Sequence, residues 1–332
     1  MLRFFKDANY DFIGRPRIVA AVVALFIVPA FIWIAIAGFN YSIEFTGGTL
    51  MQVEFEEEVD IGRLRSALSD AGVDNVELQT FGSANEIVIR AQDAASIEQQ
   101  NQGAETVATD IRAALDGLYG PDAYTVVQTE AVGARVGSEL RQNAIIALLI
   151  SFAATLVYLA WRFEWRFGVA ALVATLHDIL ATVAFMRYAN IEVSLFVVGA
   201  LLTVIGYSLN DTIVVFDRAR ENLKKYQKQP LADVANRSVN ETLPRTVMTG
   251  TTTLATLLAL FIFGGAVIRP FALILIFGII VGTLSSMFVA PSVLLWIARK
   301  YPRHVEGRGA SRPVYDTTVQ PAQPVRPGVG VR

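Results

Sequence analysis

The chain has 332 residues, 53% of them apolar and 17% charged, with 28 Lys and Arg against 30 Asp and Glu for a net charge of −2. That is too apolar for a soluble chain of this length. It has no cysteine, and so no disulfide framework, thiolate metal site or cysteine nucleophile, and its two histidines, His177 and His304, are too few for a histidine-rich metal site.

After an amino terminus at 1–17, an apolar run at 18–39 is the first candidate membrane span. Arg15 and Arg17 before it and Ala35-Ile36-Ala37 near its end imitate a secretory signal. The run exceeds the roughly 7–15 residues of a signal core, so an uncleaved anchor fits better. A polar segment follows at 40–141, and then further spans at 142–161, 167–187, 193–216, 246–268 and 270–298. Each can cross a hydrocarbon core of about 30 Å at about 1.5 Å per residue. The piece at 217–245 is a connecting loop, and the tail at 299–332, rich in Pro, Gly and Arg, reads as disordered and drawn to anionic lipid.

Segment 40–141 alternates as strand 49–56, helix 61–71, strand 75–81, strand 86–91, helix 95–118 and strand 124–130. This β-α-β-β-α-β order is the ferredoxin-like plan. The domain holds eighteen acids, six arginines and no lysine. All five lysines, and most arginines of the short connections, fall at the termini, at 162–166 and at 217–245, whereas the two short opposite loops carry one arginine each, Arg187 and Arg269. Both termini are therefore expected in the cytoplasm and residues 40–141 in the periplasm. No phosphate-binding loop with its lysine occurs, Gly47-Gly48 lacking one, so no cofactor is expected and ATP bound to this chain drives nothing.

Ionisable side chains inside spans need a partner or a purpose. On span four Thr203, Tyr207, Asp211 and Arg218 share a stripe, with Asn210 beside it; on span five Arg245, Thr249, Thr252 and Thr256 share a face. Spans four and five join on the cytoplasmic side, so Asp211 and Arg245 are expected to meet. One reading is a fixed ion pair with hydroxyls as glue between helices. The other is a protonation switch governed by the separation of the two, and spacing does not choose between them. On span three, Asp178 shares a face with Thr175 and Thr182, and His177-Asp178 reads as packing or tuning, since adjacent helical residues point about 100° apart. Gly278 and Gly282 form a small-xxx-small face on span six, and Gly199, Gly206 and Gly250 also mark close helix contacts.

Several of these stretches resemble the SecF family of the bacterial Sec export system. They are Tyr41-Ser42-Ile43-Glu44-Phe45-Thr46-Gly47-Gly48-Thr49, Val132-Gly133-Ala134-Arg135-Val136-Gly137-Ser138-Glu139-Leu140, His177-Asp178, the run from Gly206 to Arg218, and Asn240-Glu241-Thr242-Leu243-Pro244-Arg245-Thr246. Ile43-Glu44-Phe45 departs from the family's Ile-Asp-Phe, and Ala134 stands where Pro is usual. The resemblance covers residues 1 to about 300. It implies half of a resistance-nodulation-division-like core of six helices, with one ferredoxin-like domain between the first two. It also implies an accessory, non-enzymatic subunit in the inner membrane that pairs with SecD, associates with the SecYEG translocon and YajC, and uses the proton motive force to help move preproteins across, with no nucleic-acid partner. Asp211 and Arg245 are the residues it places in proton passage, with Asn210, Tyr207, Thr249 and Thr252 along the path. These residues do not separate proton from sodium coupling. The alternative is half of a proton-coupled exporter of small molecules or lipids. Such exporters usually carry twelve spans, so this chain would need a second subunit. Intramembrane proteolysis would need a nucleophile and base or paired aspartates at membrane depth, and neither Asp178 nor Asp211 stands in such a context.

Overall fold

The computed structural model describes residues 8–73, 76–81, 83–91 and 103–301. From the amino end, α1 (Pro16–Ala37) leads through a short helix α2 (Ile43–Thr46) into the small domain of β1 (Gly48–Phe55), α3 (Ile61–Asp70), β2 (Val76–Phe81), β3 (Ser83–Ala91), α4 (Gly103–Tyr119) and β4 (Tyr124–Val132). Five long helices follow: α5 (Ala134–Arg162), α6 (Trp165–Tyr188), α7 (Leu195–Lys225), α8 (Leu231–Phe263) and α9 (Gly265–Lys300). Together with α1 they make six helices, among the described residues, long and apolar enough to cross a membrane.

The sheet order is β2-β3-β1-β4 with every neighbour antiparallel, which is the ferredoxin-like topology. Alternation decides its two faces. Met51, Val53 and Phe55 of β1 and Ile87 and Ile89 of β3 point toward α3 and α4 and are buried with Leu64, Leu68, Ile111 and Leu115. Asp60 starts α3 where the chain must turn, its Oδ1 accepting from the Gly62 and Arg63 amides at 2.8 and 3.2 Å, a cap worth about 0.5–2 kcal/mol. The other face of the sheet carries Leu50, Gln52, Val88, Arg90, Gln128 and Glu130 and looks onto the loops that join the long helices, leaving a cleft of about 440 Å³ between them.

Within the helical part, α6, α7 and α9 form the packed centre, while α1 and α5 leave most of their apolar residues exposed. The centre is tight because small residues let backbones approach. A Cβ on Gly278 of α9 would lie 2.4 Å from Val204 Cγ2 of α7, and one on Gly282 would lie 2.9 Å from Ser208 Cβ. The glycine pair thus sets how deeply α9 sinks against α7.

Several boundaries differ from the expectations. The segment 217–245, read as a loop, is helical apart from the five residues between α7 and α8. Apolar runs report where a helix meets lipid, and a helix continues past that point when its polar continuation finds partners. Helix α8 ends at Phe263, because the chain turns at Gly264-Gly265 before its apolar run is over. Helix α2 lies ahead of the first expected strand, in a stretch for which no element was expected. Residues 1–7, 95–102 of the expected second domain helix and 302–332 of the expected tail lie outside the described residues.

Candidate functional site in the helical core

Two carboxylates lie buried between α6, α7 and α9. Asp178 of α6 is fully buried. Its Oδ1 lies 2.8 Å from His177 Nδ1, its Oδ2 accepts a hydrogen bond from Ser208 of α7, and Ser285 of α9 faces the same carboxyl group. Three residues further along α7, Asp211 is 4% exposed. Thr283 of α9 donates to its Oδ2 at 3.4 Å. The close approach at Gly282 is what brings Thr283 to that carboxylate. One short stretch of α7 therefore touches both acids, through Ser208 and through Asp211 itself.

Arg245 sits on α8, exposed in this chain and near enough for its charge to act on Asp211. No ion pair joins the two among the described residues. The expected pair is thus adjacent and open, and Asp211 is held by a neutral hydroxyl. Tyr207 ties α7 to α8 by donating to Thr253 Oγ1 at 3.3 Å, and Gly250 of α8 packs toward Thr283.

The expected hydroxyl row is otherwise turned toward its own helices. Thr252 Oγ1 donates to the carbonyls of Met248 and Thr249 at 3.1 and 2.9 Å, Thr256 donates to Thr252 O at 3.1 Å, and Thr203 donates to Gly199 O at 2.8 Å. Asn210 is exposed beside Asp211, and Thr249 is half-buried. Arg218 does not continue the stripe toward Asp211. Its Nε donates to Glu241 at 2.6 Å and its Nη1 to Glu221 at 2.8 Å, while Asn222 also donates to Glu241 at 2.8 Å. Asn240 and Asn236 hold the amino-terminal strap, exchanging hydrogen bonds with the backbone of Tyr10 and Phe12 at 2.8–2.9 Å. Asn236, Asn240 and Glu241 thus tie down the α8 extension ahead of Arg245.

Sequence reasoning singled out neither Ser208 as a partner of Asp178 nor Thr283 and Ser285 of α9. Single hydroxyls in apolar runs are inconspicuous, and the only available signal was the spacing of Gly278 and Gly282, which marks a tight contact without saying what it brings together.

At the opposite end of α7, two of the stretches read from the sequence meet. Glu44 Oε2 accepts from the Leu195 amide at 2.5 Å, capping α7, and Ser42 N and Asn40 O bond across to Val193 at 3.0 and 2.7 Å. Gly47 and Gly48 have φ of 75° and 123°, and Gly137 of α5 packs so closely that a Cβ would lie 3.0 Å from Gly47 N. An ion pair between Arg90 of β3 and Glu192 adds a second tie between the small domain and the entrance to α7. Among the described residues there is no group of His, Cys, Asp and Glu suited to a metal ion.

Residues 114–300 match the family described as protein export membrane protein SecD/SecF, C-terminal, and residues 32–59 match the SecD/SecF GG motif. The protein translocase subunit SecF of Gemmatimonas aurantiaca is 50% identical over 305 residues, 91% of each chain. That of Desulfurispirillum indicum is 44% identical over 289 residues, 86% of this chain and 90% of its own. Among solved structures, SecDF of Thermus thermophilus, a translocon-associated membrane protein, aligns with TM-score 0.78 and 36% identity over 90% of this chain. A SecDF in a super-membrane-facing form aligns with TM-score 0.64 and 37% identity over 89% of this chain. The chain spans 40% and 39% of those two SecDF chains.

Proposed function

The chain belongs to the SecF family of protein translocase subunits, multi-pass membrane proteins of protein export, and from this premise we propose that it pairs with a SecD-type subunit and couples the proton motive force to late preprotein movement. The observation that carries the coupling is Asp211: a buried carboxylate inside a span, bonded to a neutral hydroxyl, beside an arginine that forms no ion pair among the described residues. An ionised side chain at the centre of a span costs about 2.5–3.5 kcal/mol on insertion scales, so such a group is costly unless it does something. Approach and withdrawal of Arg245 change whether Asp211 holds a proton. In this reading Asn210, Tyr207, Thr249 and Thr252 flank the path, and no step on this chain makes or breaks a covalent bond in a substrate. Membership of the SecF family favours protein export over the small-molecule exporter that the same helical core would also suit.

Pairing is supported by the uncovered face of α7 and α8. Gly206 and Asn210 on one helix and Arg245, Thr252 and Thr256 on the other are exposed at membrane depth, where lipid satisfies polar groups poorly. A SecD-type chain from the same membrane should therefore co-purify with it, and SecYEG and YajC should associate with that complex more loosely. Full gradient-dependent export by this chain alone in liposomes would contradict the pairing.

The export role also requires the small domain in the periplasm and the α7–α8 connection in the cytoplasm of an inner-membrane protein. The chain lacks cysteine, so single cysteines report cleanly. Cysteines replacing the exposed residues Ser69 on α3 and Lys228 in the α7–α8 connection should label from outside and inside respectively. The reverse pattern would invert the orientation.

A further inference from the structure

Building on the proton-coupled reading above, we propose that His177, Asp178 and Ser208 form a second proton-carrying site in the helical core, working in step with Asp211. Asp178 is fully buried at membrane depth, with the imidazole Nδ1 of His177 at 2.8 Å and the Ser208 hydroxyl donating to its other oxygen. Serine brings no charge. The site is neutral only when the imidazole and the carboxyl group together hold one dissociable proton more than a neutral imidazole with a carboxylate. That proton sits either on the ring, giving imidazolium and carboxylate, or on Asp178, giving imidazole and carboxylic acid. Passing between the two forms, the Nδ1–H bond breaks as the Oδ1–H bond forms, and the ring keeps its proton on Nε2.

Among the described residues, no Lys or Arg pairs with Asp178. His177 lines a groove of about 440 Å³ between α1 and α9 whose facing residues are apolar, such as Val22, Phe26, Phe277 and Val281, with Ser285 the other polar group. Among the described residues, the groups acting on Asp178 are His177 of α6, Ser208 of α7 and Ser285 of α9. The groove side of the pair is almost wholly apolar, and Ser208 leads from Asp178 to α7 on the other side, which is the direction the proposed exchange takes. There Asp211 lies three residues away, about one helical turn. Ser208, which holds Asp178, and Asp211 sit on one stretch of α7, so a proton change at either acid acts on the same helix.

The test uses the complex with its partner subunit, comparing Asp178→Asn, His177→Gln and Asp211→Asn. Infrared difference spectra of the purified complex between acid and alkaline pH should show either a carboxylic-acid band that Asp178→Asn removes and His177→Gln displaces, or an imidazolium band that His177→Gln removes and Asp178→Asn displaces. In inverted vesicles, Asp178→Asn should lower gradient-dependent export by about tenfold or more, and His177→Gln should displace its pH profile, with assembly intact on native gels. Wild-type spectra and pH profiles in both variants would overturn the proposal and leave the triad as a structural tie. If Asp178→Asn does not assemble, His177→Gln decides alone: a displaced or lost band with a displaced profile supports the site, and a wild-type band and profile overturn it. Unchanged export in Asp211→Asn would instead remove the proton-coupled reading, while the infrared band would still report whether the pair holds a proton.

Discussion

Asp211→Asn is expected to lower proton-gradient-dependent export by about tenfold or more, equivalent to about 1.4 kcal/mol or more in barrier, while leaving the complex assembled. The asparagine carbonyl can still accept the bond from Thr283, and its volume suits the same place between α7 and α9. What it cannot do is take and release a proton. A purely structural Asp211 predicts the opposite, because an amide that preserves shape and hydrogen bonding removes a buried charge and leaves the packing sound. The measurement is preprotein transport into inverted vesicles with and without an imposed gradient, alongside native gels. Full gradient-dependent stimulation in the variant would make the buried carboxylate a packing residue.

The second large effect is expected at Arg245. It is exposed on α8, so Arg245→Met should cost the helix little, yet gradient-dependent export should fall nearly as far as in Asp211→Asn. Arg245→Lys should retain an intermediate level: the charge that acts on Asp211 stays, while the planar, multi-donor fork is lost. An order of arginine, then lysine, then methionine in the same vesicle assay is the expected result. Equal activity of all three would show that the charge on α8 plays no part.

The architecture was open to reading from residues because its two signals are strong. Six apolar runs are separated by charged segments, and the domain alternates with period two around Met51, Val53, Ile87 and Ile89, so both the helical part and the order of the small domain follow. The extents of α7 and α8 did not follow, because their polar ends remain helical through contacts such as Arg218 with Glu241, which hydropathy cannot register. At the site, Asp178 and Asp211 stand out as charges inside spans. Their hydroxyl partners do not: Ser208, Thr283 and Ser285 look like any other small residue of a membrane helix, and which of them meets which acid depends on the rotation of α9 about its glycines. Nor does spacing along α8 say that Arg245 stands open instead of locked to Asp211. The Tyr41–Thr49 stretch was conspicuous for its glycines, but the capping of α7 by Glu44 joins residues 151 apart and needed the fold.

That capping bears on how a charge change in the core could be felt outside. Helix α7 carries Asp211 in its middle, and at its entrance it is tied to the small domain by Glu44, by the Asn40–Val193 exchange and by the Arg90–Glu192 pair. A shift of α7 on proton loading would therefore move the base of the domain. The link works only if protons do load at Asp211. Proton entry into liposomes holding the purified complex, followed with a trapped pH-sensitive dye after a membrane potential is imposed, measures this step without preprotein. The account predicts flux in the wild-type complex and none above the lipid background in Asp211→Asn; equal flux in the two would contradict it.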